Sequence, residues 1–127
     1  MIGDLDNLKF INDSYGHQIG DNYLIKAAQI LKKVLRSEDI VSRIGGDEFA
    51  IILPNTDKNE AENIKYRIQN QFKKTQRDEV NFKMLDISLG FYTIKNSSTN
   101  FKKAYRNADQ RMYEQKHNKR KGNLSVE

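Results

Sequence analysis

Apolar residues recur along this chain in two rhythms, one helical and one strand-like. Leu24, Ala27, Ala28, Leu31, Val34 and Leu35 repeat every three or four positions, the spacing of one helix face. Gly20-Asp21 precedes them, and Asp21 is the expected cap. Ala61, Ile64, Ile68 and Phe72 predict a further helix, with Arg67 off its stripe. Phe101, Ala104, Tyr105, Ala108 and Met112 predict a last one. Stripes of this kind form cores and are assigned no chemistry. A shorter helix is expected over 6–15, closed by Gly16. The strand-like rhythm falls between the helices. Runs at 40–44 and 49–53, joined by a connection holding two glycines, read as a β-hairpin that ends at Pro54-Asn55. Residues 84–94 are strand-like, with Ser88 and Gly90 inside; 1–6 read as the end of a strand and 123–126 as a last short one. The alternation predicts an α/β fold (an α+β sandwich), with a mixed central β-sheet flanked by helices.

Composition narrows the class. The 127 residues suffice for one domain over 1–127 with one hydrophobic core. There is no cysteine, so no disulfide framework and no thiolate metal site, which suits a reducing cytoplasm. No apolar run approaches the ~20 residues of a membrane span, and no secretory leader is visible. The expected location is therefore cytoplasmic, with any membrane anchoring left to a longer parent chain. Net charge is +5, and Lys116, His117, Lys119, Arg120 and Lys121 lie close together. That cluster reads either as a phosphate-facing patch or as a solvated basic tail. Aromatic interleaving is too sparse for single-stranded nucleic acid, and no DNA-reading motif is present.

The candidate chemistry is acidic. Asp47-Glu48 follows Gly45-Gly46 at the hairpin tip, where an oxygen-loving cation could be held and glycines leave room for a ligand. Asp4 and Asp6 share a face if the first strand continues that far. A strand-end carboxylate facing a hairpin-tip carboxylate is a reasonable magnesium site; taken alone, the same acids read as ordinary turn residues.

The fixed string Gly45-Gly46-Asp47-Glu48-Phe49 is not ordinary. At average residue usage it should arise by chance in about one in ten thousand chains of this length. It resembles the signature of the GGDEF family, the diguanylate cyclases. So do Asp4-Leu5-Asp6-Asn7-Leu8-Lys9, Asn12-Asp13, Gly16-His17 and Gly20-Asp21-Asn22-Tyr23-Leu24 upstream, and Ser88-Leu89-Gly90 and Ala108 to Lys116 downstream. The resemblance covers essentially the whole chain and implies a nucleotidyl-cyclase-like fold.

The resemblance also implies roles. Asp4, Asp47 and the backbone carbonyl of Leu5 would hold Mg²⁺, or Mn²⁺ in its place. Glu48 would be the acid needed for turnover, either as a metal ligand or in activating the attacking hydroxyl. Asn12 and Asp21 would bind the guanine edge, backbone N–H groups around Asn7 and Leu8 would cradle phosphates, and Lys9, Lys116 and Arg120 would neutralise them. Gly45 and Gly46 would let the nucleotide lie over the turn. The implied reaction joins two GTP molecules into cyclic di-GMP with loss of two pyrophosphates, across a homodimer. The alternative is a catalytically silent module that binds GTP or cyclic di-GMP.

Arg36-Ser37-Glu38-Asp39 is an RxxD set five residues before Gly45. It matches the family's inhibitory product site, with Arg67 as a further arginine. Read without the family, it is an i,i+3 ion pair at a helix end. The chain departs from the family pattern in having only three residues before Asp4, so the domain is expected to lack its N-terminal helix and most of its first strand. Leu8 stands where the family has Phe, and Lys119-Arg120-Lys121 interrupts the pattern after Lys116.

Overall fold

In the computed structural model, residues 1–96 and 100–126 are described, with side chains as far as Lys121. The chain runs β1 (Ile2–Leu5), α1 (Leu8–Tyr15), α2 (His17–Val34), β2 (Ile40–Arg43), β3 (Glu48–Ile52), α3 (Lys58–Asp78), a 3₁₀ turn (Val80–Phe82), β4 (Ile87–Gly90) and α4 (Phe101–Val126). The four strands form one sheet in the order β2-β3-β1-β4. All three pairings are antiparallel, which corrects the expected mixed sheet to an antiparallel one within the same α+β class. β1 is interior, paired with β3 on one side and β4 on the other.

The two faces of the sheet are covered differently. Leu5, Phe49, Ile51, Ile87 and Leu89 point to one face and join Leu8, Ile11, Tyr23, Leu31, Ile64, Ile68 and Phe72 of α1, α2 and α3 in the main core. The predicted stripes of α2 and α3 are the buried ones, because a helix in water is stable only when its apolar face finds a partner. Asp57 caps α3 by accepting from the Glu60 N–H at 2.8 Å, an arrangement worth about 1 kcal/mol.

α4 packs alone on the other face. There Ile2 meets Ala108 and Met112, with Ala50, Tyr92 and Tyr105 around them. Gly90 makes this approach feasible, since a Cβ there would collide with backbone atoms of Ala108, Arg111 and Met112. α4 also closes the outer edge of β4. Lys119 Nζ donates to Ile87 O at 2.6 Å, Leu89 N donates to Gln115 Oε1 at 2.7 Å, and Arg111 Nη1 donates to Phe91 O at 2.7 Å. Residues 111, 115 and 119 lie one helical turn apart, so one helix face supplies the polar partners that another strand would otherwise bring.

Some expected boundaries shift. Asp21 is not a cap: Gly16, at φ 93°, ends α1 and opens α2 at once, and Asp21 falls inside the helix. The strand expected over 84–94 is paired only as β4, between the 3₁₀ turn and an irregular stretch. Residues 123–126, expected as a strand, continue α4; extending an existing helix costs less than nucleating a new element. Among the described residues, no helix is long and apolar enough to cross a membrane.

Candidate active site

Alternation along the strands puts Asp4, Glu48 and Ser88 on the α4 side of the sheet, in one row. Asp4 is the cross-strand partner of both Glu48 and Ser88. The next row, Ile2, Ala50 and Gly90, carries the packing of α4. The same helix therefore seals the apolar row and extends its C-terminal half over the polar one.

That half brings two lysines. Lys116 Nζ lies 3.1 Å from Asp4 Oδ1 and 3.9 Å from Asp6 Oδ1. Lys119 Nζ lies 2.9 Å from Asp6 Oδ2 and 3.3 Å from Asp86 Oδ2. Ser88 Oγ donates to Asp6 Oδ1 at 2.8 Å. Asp6 is thus saturated, while Asp4 is not: its Oδ1 is buried with no hydrogen bond, the Lys116 ammonium being close but misaligned. The Asp47 carboxyl is within hydrogen-bonding reach of Asp4, held by the hairpin tip, whose Asp47 carbonyl accepts from Leu5 N at 2.9 Å. Two ionised carboxylates are both acceptors and cannot satisfy one another. Burial pushes the Asp4 carboxyl up to about 6; Asp47 adds to the rise and Lys116 opposes it.

A cavity of about 730 Å³ opens beside these acids, and Leu5, Asn7, Leu8, Lys9, Asp47, Lys116 and Arg120 all line it. Asn7 adopts the left-handed conformation at φ 67° and ψ 6°, turning the chain into α1. The N–H groups of that first turn have no intrahelical acceptor, and the residues that carry them, Leu8, Lys9 and Phe10, line the cavity. Of the remaining residues expected at the site, Asn12 packs on Gly20, next to the exposed Asp21, outside the cavity lining. Gly45 and Gly46 are exposed on the hairpin connection. Neither has positive φ, so their contribution is open space rather than a left-handed turn.

Glu48 stands apart from the acid pair. Its Oε1 accepts from the Tyr105 hydroxyl at 2.9 Å, and this bond, with burial and the Glu48 charge, pushes the Tyr105 phenol up to about 12. Among the described residues, no group of three or more His, Cys, Asp or Glu is arranged to hold a metal. Two carboxylates with an unsatisfied buried oxygen nonetheless fit magnesium, which takes one or two carboxylates and leaves its other positions to water and substrate phosphate.

The second predicted site lies on the β2–β3 side of the molecule. Arg36 Nε and Nη2 donate to Asp39 at 2.8–3.2 Å, and Arg36 N donates to Asp39 Oδ2 at 2.8 Å. Arg36 Nη2 also donates to Thr56 Oγ1 at 2.6 Å and to Pro54 O at 3.3 Å. The Asp39 side chain is 0% exposed beneath the guanidinium. Burial alone would raise its pKa, but hydrogen bonds and charge from Arg36, aided by the Arg67 charge, hold it below the usual carboxylate range. The i,i+3 pair expected from sequence is therefore formed, with Arg67 near enough to act on it.

Sequence reasoning missed Tyr105, Lys119, Asp86 and Thr56. Tyr105 was hidden in an apolar stripe and Lys119 in a basic run; Thr56 sits in the loop after the hairpin.

The match to the family of diguanylate cyclase GGDEF domains extends over residues 1–122. The chain belongs to the GGDEF domain family. It is 31% identical to the probable diguanylate cyclase DgcT of Escherichia coli K12 over 119 residues, covering 91% of this chain and 26% of that protein. It is 33% identical to diguanylate cyclase DgcP of the same organism, covering 93% of this chain and 35% of that one. The chain thus spans about a third or less of these relatives. Among solved structures, it resembles the active GGEEF domain of a diguanylate cyclase from Vibrio cholerae at TM-score 0.82 and 31% identity, covering 92% of this chain and 74% of that one. It also resembles a microbial GGDEF domain that interacts with cyclic di-GMP, at TM-score 0.72 and 30% identity, covering 92% and 71%.

Proposed function

We propose that this chain is the catalytic domain of a diguanylate cyclase, condensing two GTP molecules into cyclic di-GMP and two pyrophosphates. The observation that carries the reading is Asp47 at a cavity lined also by Lys9, Lys116 and Arg120, next to the buried Asp4, whose Oδ1 has no hydrogen bond. Asp4, Asp47 and the Leu5 carbonyl would hold magnesium, which supplies positive charge for the triphosphate and for the oxygens gained and lost at the α-phosphorus.

The chain's own groups divide the remaining work. N–H groups at the start of α1 and the lysines hold the phosphates. Asn12 and Asp21 read the base: a carboxylate accepting from ring N–H and exocyclic amine suits guanine and rejects adenine, which lacks that donor pair. Glu48 serves the step in which the 3′-hydroxyl of one GTP displaces pyrophosphate from the other. Each domain holds one GTP, so the active species is a two-fold dimer with its cavities facing. Arg36, Asp39 and Arg67 form the site at which cyclic di-GMP inhibits. The reading locates the domain in the cytoplasm, a compartment that its lack of cysteine suits.

The test is mass spectrometry of products after incubating concentrated chain with GTP and Mg²⁺. Cyclic di-GMP from the wild type and a loss of about 100-fold or more in Glu48→Gln are expected. GTP bound but returned unchanged by the wild type would replace the enzyme with a silent binding module.

A further inference from the structure

The two α4 lysines beside the acids are each committed to aspartates, and Glu48 is served instead by a neutral donor. Lys116 pairs with Asp4 and Asp6, Lys119 with Asp6 and Asp86, while Glu48 Oε1 takes the Tyr105 hydroxyl at 2.9 Å. The two ends of this bond are unequally mobile. The Tyr105 ring packs in the cluster of Ile2, Ala108 and Met112, and the Phe101 ring centroid lies 6.2 Å from its own. The Glu48 main chain is also fixed: it pairs with Asp4, and its carbonyl accepts from Ile44 N at 2.9 Å. What remains free is the Glu48 side chain, with its several rotatable bonds. A hydroxyl on a rigid ring removes that freedom.

We infer that Tyr105 is a positioning residue for Glu48, fixing one carboxylate oxygen so that the other is presented to the reacting nucleotides. The free oxygen, Oε2, stands over Gly45, 3.8 Å from where a Cβ would lie, on the hairpin connection that carries no side chain at two successive positions. A phenol suits this task better than a lysine. Both can donate to the carboxylate, but the lysine would also neutralise it, and Glu48 needs its negative charge whether it binds metal or activates a hydroxyl. Tyr105 reaches this acid across 57 residues of sequence, from the opposite end of α4 to Lys116. The helix thus grips the polar row at two points from one side: an ammonium on Asp4 and a phenol on Glu48.

The inference rests on the cyclase reading, and the experiment separates the two. Initial rates of cyclic di-GMP formation are measured over a range of GTP at saturating Mg²⁺, normalised to folded chain by circular dichroism. The variants are Tyr105→Phe, Glu48→Asp, their combination, and Tyr92→Phe as a control in the same apolar cluster. Tyr105→Phe keeps the ring and its packing. It is expected to lower kcat about five- to tenfold with KM for GTP within about twofold. Tyr92→Phe should leave both parameters near wild type. In the Glu48→Asp background, where the shorter acid no longer meets the phenol, removing the hydroxyl should have little further effect. An unchanged or raised kcat in Tyr105→Phe, an equal loss in Tyr92→Phe, or effects that simply multiply in the double variant would each overturn the positioning role. A wild type that makes no cyclic di-GMP would overturn the cyclase reading, and the role of Tyr105 with it.

Discussion

The two charged corners of this domain are built on opposite principles. At Arg36 and Asp39, the acid is satisfied: the carboxylate is covered by a guanidinium that also holds Thr56 and Pro54. At Asp4 and Asp47, a carboxylate oxygen is buried without a hydrogen bond and a second acid presses on it. The first corner is complete as it stands. The second leaves a buried carboxylate oxygen without a hydrogen bond, met only by the Lys116 ammonium at 3.1 Å. Their pH signatures have opposite sign. Asp39 ionises below its ordinary value, so its stabilising contribution is present at neutral pH and lost as pH falls through its folded value. Asp4 ionises above its ordinary 3.8, at about 6, so its contribution is full below about pH 4 and lost as pH rises through 6. The proposed magnesium site is thus the corner where two acids crowd one another.

The sharpest way to break this contrast is Asp4→Asn. Turnover should fall about 100-fold or more, because the proposed magnesium site loses one of its two carboxylates. Stability should move the other way. Without metal, wild type should lose about 2 kcal/mol relative to Asp4→Asn as pH rises from 4 to 7, most of it between 4 and 6. Urea unfolding in chelator at several pH values measures this difference directly. Adding Mg²⁺ at pH 7 should raise the stability of wild type and leave Asp4→Asn nearly unchanged. Parallel pH curves for the two proteins would show that Asp4 carries no such strain, and the contrast between the corners would fail.

How much of this was legible in the sequence follows from range. The stripes on α2 and α3, the hairpin, and the candidates Asp4, Asp47 and Glu48 all lie in local patterns, where periodicity and the GGDEF signature speak. What was not legible depends on how α4 lies across the sheet. Tyr105 meets Glu48, and Lys119 meets Asp6 across 113 residues, only because Gly90 lets the helix settle at one height over β4. Periodicity marks Tyr105 as facing the core; it cannot say that a hydroxyl at the rim of that core finds a carboxylate. The expected cap at Asp21 failed for a different reason. One glycine serves two helices at once, so no separate start signal was needed. The mixed sheet was inferred from alternating elements, but the two helices between β1 and β2 return the chain to the far side of β3, leaving every neighbour antiparallel.

A smaller effect is expected at the saturated corner. Arg36→Ala should weaken cyclic di-GMP binding about tenfold or more in calorimetry, since charge-assisted contacts to a phosphate are removed. It also uncovers Asp39, which loses the hydrogen bonds and charge holding its pKa down. The acid-side dependence of stability should therefore flatten in this variant. Equal affinity for cyclic di-GMP in Arg36→Ala and wild type would remove the site from the account and leave only a structural ion pair.

The smallest effect tests whether saturation at that corner is itself functional. Thr56 Oγ1 accepts from Arg36 Nη2 at 2.6 Å and donates to Pro54 O at 2.9 Å, so it ties the arginine to the loop between β3 and α3. If the guanidinium is held ready for a ligand, loosening that tie should weaken binding without touching any ligand contact. Thr56→Val keeps the volume and removes the hydroxyl; it should weaken cyclic di-GMP binding about three- to fivefold, the worth of one ordinary hydrogen bond. Thr56→Ser, which keeps the hydroxyl, should bind like wild type. Wild-type affinity in Thr56→Val would mean that the Asp39 pair alone orients Arg36, and that the loop is a neighbour of the proposed product site rather than part of it.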